Sequence, residues 1–305
     1  MFKPSIRTLL AAAALCLAQS AIAETIIAQP DLSIPSKIGP AYFGPNAFPV
    51  PDMLDGRTSA ELKVELYGDC FLGTSTASVY DDVTADLFAR LTIPLFTPKA
   101  NLVVWMPIFE YFSTSAEVNT MRRLPHSGPL SGFDSGDVYV SADVQVLSHE
   151  RHHCDMAVRA ALKTASANRF AEGRCYDAPG YFFDIAIGRN FCLKESGDLR
   201  LAVSGGFLCW QTDNGRQNDA VMYGLQLGYT YKRLSADCTF GGYTGWERDG
   251  DSPMTLKTGI SYAFGDISLR LQHQVGFFDW PYHQVRLGVS YHFDMLGSLA
   301  ARKQR

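Results

Sequence analysis

Several residues of this 305-residue chain have types and spacings that could do chemistry. His149, His152 and His153 run into Cys154, and imidazole with thiolate suits zinc. A polar turn carries solvated histidines equally well, so no metal is assigned. His126-Ser127 lies in the same stretch as Asp134 and Asp137, the residue types of nucleophilic hydrolysis. It lacks the Gly-x-Ser-x-Gly elbow, and loops collect such residues for turn geometry alone. His273 falls by alternation on an apolar face between Leu271 and Val275. With no serine and acid at readable spacing, a bulge is the plainer account. No catalytic residue and no cofactor is assigned on these grounds.

The remaining set is larger. Lys63, Arg90, Arg159, Lys163, Arg200, Lys257, Arg270 and Arg286 fall on the same polar face as Glu61, Glu65, Asp86, Asp143, Asp184 and Asp237, each within an alternating run or, for Lys163, at the end of one. Charges held on one face of many strands can neutralise one another as structural pairs. They can also form a selectivity surface for a solute. Both arrangements stay open at this point.

Those charges need elements to hold them. Apolar residues alternating with polar or small ones mark a strand with two unlike faces. Twelve such runs follow: 60–66, 85–95, 102–108, 138–146, 158–162, 183–187, 199–207, 221–231, 234–240, 256–264, 267–275 and 285–293. Most approach the length of about 9–11 residues that a tilted strand needs to cross a bilayer. Residues 232–233 and 265–266 are tight turns, whereas 68–84, 113–136 and 164–180 are long connections. Short turns on one side, long loops on the other and an even strand count predict an all-β, closed antiparallel transmembrane barrel. Charged residues are only 19% of the chain and hydrophobic ones 47%, too little charge for an ordinary hydrated surface. With 27 basic against 31 acidic residues spread along the chain, no basic stripe exists and nucleic acid is excluded as a partner.

Flanking segments divide the chain further. Lys3 and Arg7, the apolar run Leu9 to Ala18, and Ala21-Ile22-Ala23 read as a signal peptide over 1–23, cleaved before Glu24. Residues 24–59 hold six prolines between Pro30 and Pro51, which exclude helix and central strand. The segment is expected to be a periplasmic docking arm for a partner or to fold back into the lumen. The barrel spans 60–293, and 294–305 is a C-terminal tail. Six cysteines follow the signal: Cys70, Cys154, Cys175, Cys192, Cys209 and Cys238. Export permits disulfides, but fifteen pairings are open to six cysteines.

Gly228-Tyr229-Thr230-Tyr231, Ile260-Ser261-Tyr262-Ala263-Phe264 and Val289-Ser290-Tyr291-His292-Phe293 place aromatics at one end of three runs, as a girdle at a water–lipid boundary would. On these residues the chain resembles the bacterial outer-membrane β-barrel class over about 60–293. Val285 to Phe293 looks like the closing strand such proteins present to their assembly machinery, although twelve residues follow the phenylalanine here. The resemblance implies an outer-membrane location, contact with outer-membrane lipid and that assembly partner. It carries no functional residue.

Lipid contact is costly for charge, so the polar face must look inward. Eight strands give a filled interior and sixteen to eighteen an open channel; twelve lies between. The function expected is a narrow pore or transporter for a small solute. A non-conducting structural or partner-binding barrel is the alternative, and a lipid-modifying enzyme ranks third.

Overall fold

A residue pattern of period two becomes a sheet only if each face finds its own solvent. The computed structural model meets that condition by closing the sheet on itself. It describes residues 49–73, 82–116, 130–167, 179–211, 217–246, 251–279 and 282–297. The signal peptide, the prolines before Pro49, His126-Ser127, Cys175 and the tail beyond 297 lie outside the described residues.

The strands are β1 (Leu62–Gly73), β2 (Asp82–Pro94), β3 (Ala100–Ser113), β4 (Ser131–Asp134), β5 (Tyr139–Leu147), β6 (Asp155–Lys163), β7 (Gly180–Cys192), β8 (Asp198–Gln211), β9 (Gln217–Tyr231), β10 (Leu234–Gly245), β11 (Met254–Phe264), β12 (Ile267–Phe278) and β13 (Tyr282–Phe293). All pairings are antiparallel; besides β3 with β5, they join strands consecutive in the chain, and β1 pairs β13 from Leu62↔Phe293 to Gly73↔Tyr282. The ring is closed. Of thirteen strands in the sheet, twelve complete the wall and β4 is the extra one. It extends the same edge as β5: β3 pairs β5 from Ala100 to Trp105 and β4 from Glu110 to Ser113. The twelve runs read from sequence each fall on a wall strand. β4, a four-residue piece without enough alternation to show a period, does not appear among them.

The turns after β2, β5, β7, β9 and β11 lie at one end. Lys232 and Gly265 take φ +55° and +68° in the two tightest. The unusually long turn after β5 contains a single helical turn, α1 (His149–His152), closed by His153 in the left-handed region. That short helix holds His149 and His152, and His153 and Cys154 follow it directly. Among the described residues no three metal-donor side chains converge.

The wall is oily outside. Leu287 is 64% exposed, Leu162 60% and Leu271 50%, whereas inward Ala157 and Ala186 are 0% and Asp184 4%. Tyr262 and Phe264 sit together at the short-turn end of the outer face. Phe109, Tyr111 and Phe133 cluster near the long-loop end. These two belts bracket the apolar band, as lipid boundaries require. Among the described residues no helix is long and apolar enough to cross a membrane.

One expectation needs correction. The inward face is not polar throughout. Toward the long-loop end Tyr139, Phe182, Leu208, Trp210, Tyr243 and Tyr282 form an apolar cluster inside the barrel with Val50. Trp105 stacks on Tyr139 at 5.0 Å. The reason is local: the cluster surrounds chain that enters the lumen before β1, and that chain brings Pro49, Val50 and Pro51 to be covered.

Candidate functional site

The end of the proline-rich lead runs inside the barrel as an irregular strap, residues 49–59. Proline at 49 and 51 keeps it out of any ladder, so its backbone polar groups must be satisfied by side chains from the wall. Lys257 Nζ lies 3.5 Å from the Val50 carbonyl and Arg159 Nη2 2.8 Å from the Asp52 carbonyl. Arg200 donates to the Asp55 carbonyl. At the short-turn end, Thr58 Oγ1 donates to the Pro98 carbonyl at 2.5 Å. Ser59 N donates to Asn101 Oδ1 at 2.7 Å. Gly56 takes φ +89° where the strap presses on β6 and β7, and a Cβ there would meet the Asp155 carbonyl at 2.9 Å.

The strap also brings charge. Asp52 Oδ1 is 2.6 Å from Lys257 Nζ and Asp52 Oδ2 3.7 Å from Arg90 Nη1. Asp55 Oδ2 is 3.3 Å from Arg200 Nε and also pairs with Arg57 on the strap itself. Enclosure works against the Asp52 charge, but Lys257, Arg286 and Arg90 outweigh it and hold the carboxyl well below the usual carboxylate range.

The charged residues singled out from sequence now have places. Arg159 clamps Asp184 at 2.7 and 3.0 Å, between adjacent strands and buried. Arg270 clamps Asp237 at 2.7 and 2.9 Å. Lys63 is 2.8 Å from Glu65, which also faces Arg90 at 3.7 Å. Asp143 is buried and accepts from Ser141 Oγ at 2.8 Å. Lys163 pairs with Asp137, and Arg200 adds Asp155 at 3.0 Å and Asn190 at 2.6 Å. Arg286 lies over the Tyr67 ring at 4.4 Å, and Tyr67 stacks on Phe88 at 4.8 Å. Asp86 is buried toward the long-loop end, in register with Glu110, which is itself in register with Asp134. Glu61 is an outlier: it precedes β1 and lies exposed at the mouth, 3.1 Å from His292 Nδ1.

Sequence reasoning did not name Asp52, Asp55, Asp155 or Asn101 as site residues, and it considered Asp137 only beside His126-Ser127. A signal for the strap existed. The inward list holds eight cations and six acids, and two acids stand beside the last prolines of the lead.

Space remains beside the strap. A cavity of about 200 Å³ is lined by Asp52, Glu65, Arg90, Asp237, Lys257, Arg270 and Arg286, among others. A second, of about 80 Å³, shares Asp52, Arg90, Lys257 and Arg286 and reaches the aromatic cluster at Trp105, Tyr139 and Trp210. A third, of about 280 Å³, opens at the short-turn mouth between Glu61, Arg233, Asp266 and His292.

On the outer face His273 and His283 stack with ring centroids 5.6 Å apart. This puts His273 on the oily side, as its parity indicates. No disulfide joins Cys70, Cys154, Cys192, Cys209 and Cys238 among the described residues.

No protein-family model matches the chain, and no curated protein matches it. Solved structures do. An outer-membrane channel from Pseudomonas putida F1 matches with TM-score 0.54 at 12% identity, over 80% of this chain and 100% of that one. The transport unit of the autotransporter AIDA-I from Escherichia coli gives 0.49 at 11%, over 81% and 94%. The KdgM porin gives 0.48 at 11%, over 75% and 98%. At such identities the likeness concerns architecture. Ring closure, an oily exterior between aromatic belts and the first of these matches agree: the chain has the fold of the bacterial outer-membrane β-barrels.

Proposed function

We propose that this protein is a narrow pore for a small solute across the outer membrane, with the strap of residues 49–59 as its internal gate. The observation that carries the reading is the unfilled, charge-lined space beside the strap. Cavities of about 200 and 80 Å³ flank the strap, and one of about 280 Å³ opens below them at the short-turn mouth. Along β12, Ser268 lines the mouth cavity, Arg270 and Gln272 the middle one and Gln274 the one by the aromatic cluster. A lumen built only for stability would close such space, because unfilled volume forfeits packing. The short-turn mouth faces the periplasm in this reading.

A second reading rests on a different observation. The aromatic cluster and the strap together obstruct the long-loop half of the lumen, as a non-conducting, partner-binding barrel would require. Deleting residues 24–55 separates the two in planar-bilayer recordings. A gate's removal raises conductance from a low basal level. No conductance with or without those residues, and no uptake defect in a deletion strain, would falsify the pore.

A further inference from the structure

Most cations of the inner wall find their acid on the wall. Arg159 has Asp184, Arg270 has Asp237 and Lys63 has Glu65, each from the barrel strands. Lys257 differs: among the described ion pairs, its acid is Asp52, supplied by the strap. Arg90 reaches the same carboxylate at 3.7 Å, and Arg286 borders the same cavity from the Tyr67 ring. Around this cavity the strands contribute Arg90, Lys257, Arg270 and Arg286 against Glu65 and Asp237, four cations to two acids. The third acid comes with the strap. Asp52 keeps 43% of its side-chain surface accessible despite its pairing, and that surface faces the enclosed cavity it lines, as a bound ligand would.

We infer that Arg90, Lys257 and Arg286 form a binding site for the carboxylate of a small organic anion, and that Asp52 occupies it as an internal competitor. The inference rests on the pore reading and supplies its solute class. A wall cation paired with a strap acid is a contact that can be exchanged without breaking the wall. The cavity of about 200 Å³ exceeds the space of a single water by roughly an order of magnitude, room for a small organic anion. Binding would exchange one carboxylate for another at Lys257, releasing the strap where it crosses the path.

The test uses the full chain in detergent, with succinate as the probe and neutral succinamide as its control, followed by calorimetry. Asp52→Asn should bind succinate about tenfold tighter than the wild type, the size of one lost competitor contact. Asp52→Glu should restore the wild-type value. Lys257→Gln placed in the Asp52→Asn chain should reverse the gain, and succinamide should not bind. Equal succinate affinity in the wild type and Asp52→Asn, or binding indifferent to Lys257→Gln, overturns the site. If Asp52→Asn does not reach the heat-modifiable folded form, the wild type answers alone. Saturating succinate, and not succinamide, should expose the Arg57-Thr58 bond to trypsin, and continued protection overturns the proposal. Conductance is recorded separately. Succinate binding without conductance keeps the site and removes the pore, whereas conductance without succinate binding keeps the pore and removes the site.

Discussion

Arg159 on β6 holds Asp184 on β7 through two parallel contacts of 2.7 and 3.0 Å, and its other Nη2 contact runs to the strap at the Asp52 carbonyl. One guanidinium therefore joins two wall strands and the lumenal strap. Arg159→Ala would leave a buried carboxylate without its partner, a loss of about 3–5 kcal/mol. Urea titration with gel mobility as the folding readout should show it. An unchanged midpoint would mean that Asp184 is better solvated than its 4% exposure indicates.

Gly188 lies where the wall meets the strap, and a Cβ there would run into the Asp55 carbonyl and the Arg200 guanidinium. Gly188→Val should therefore lift the short-turn end of the strap while the barrel closes normally. Trypsin reports this directly, because Arg57 lies in the strap. The variant should be cut after Arg57 at concentrations that leave the wild type whole.

The pH dependence of the strap contacts has a definite sign. Enclosure disfavours the Asp52 charge, and Lys257, Arg286 and Arg90 more than compensate, so its carboxyl titrates below the ordinary value. Such a group contributes stability above the unfolded value, about 3.9, and loses it only as pH falls through the lower folded value. Asp55 shifts in the same direction: enclosure opposes its charge and Arg57 and Arg200 restore it. Conductance of the wild type should stay at its pH 7 level down to about pH 4. A rise that begins near pH 6 would contradict the strap contacts.

The outer face makes its own prediction. Leu287 is 64% exposed and Arg286 beside it faces inward. Leu287→Arg should cost about 2–4 kcal/mol of insertion free energy near the midplane. Folding into vesicles of short-chain lipid should be slowed and reduced. Insertion as efficient as wild type would argue that β13 is not lipid-facing.

Much of the barrel was legible because lipid and lumen impose opposite demands on alternate residues. Val158, Ala160 and Leu162 against Arg159, Ala161 and Lys163 already assign both faces of β6. The strap was not legible for the converse reason. Pro49, Pro51, Asp52 and Asp55 have no period, and their partners Lys257 and Arg200 lie 205 and 145 residues away along the chain. The apolar cluster was hidden likewise: Phe182 and Trp210 share the inward parity of Asp184 and Arg200, but their packing with Val50 depends on a strap that has no period. Arg286 was readable as a lumenal charge, but its seat on Tyr67 depends on the β1–β13 register, which sequence parity leaves unset.

The seam between β1 and β13 unites the first wall strand with the last. While the ribbon is still being made it has two free edges, and the strap hangs from the leading one. The strap lies on the concave side of that ribbon, tethered to the edge that the last strand must meet. The seam that shuts the wall therefore also fixes the root of the strap, so a slip of register there would shift every contact the strap makes across the lumen.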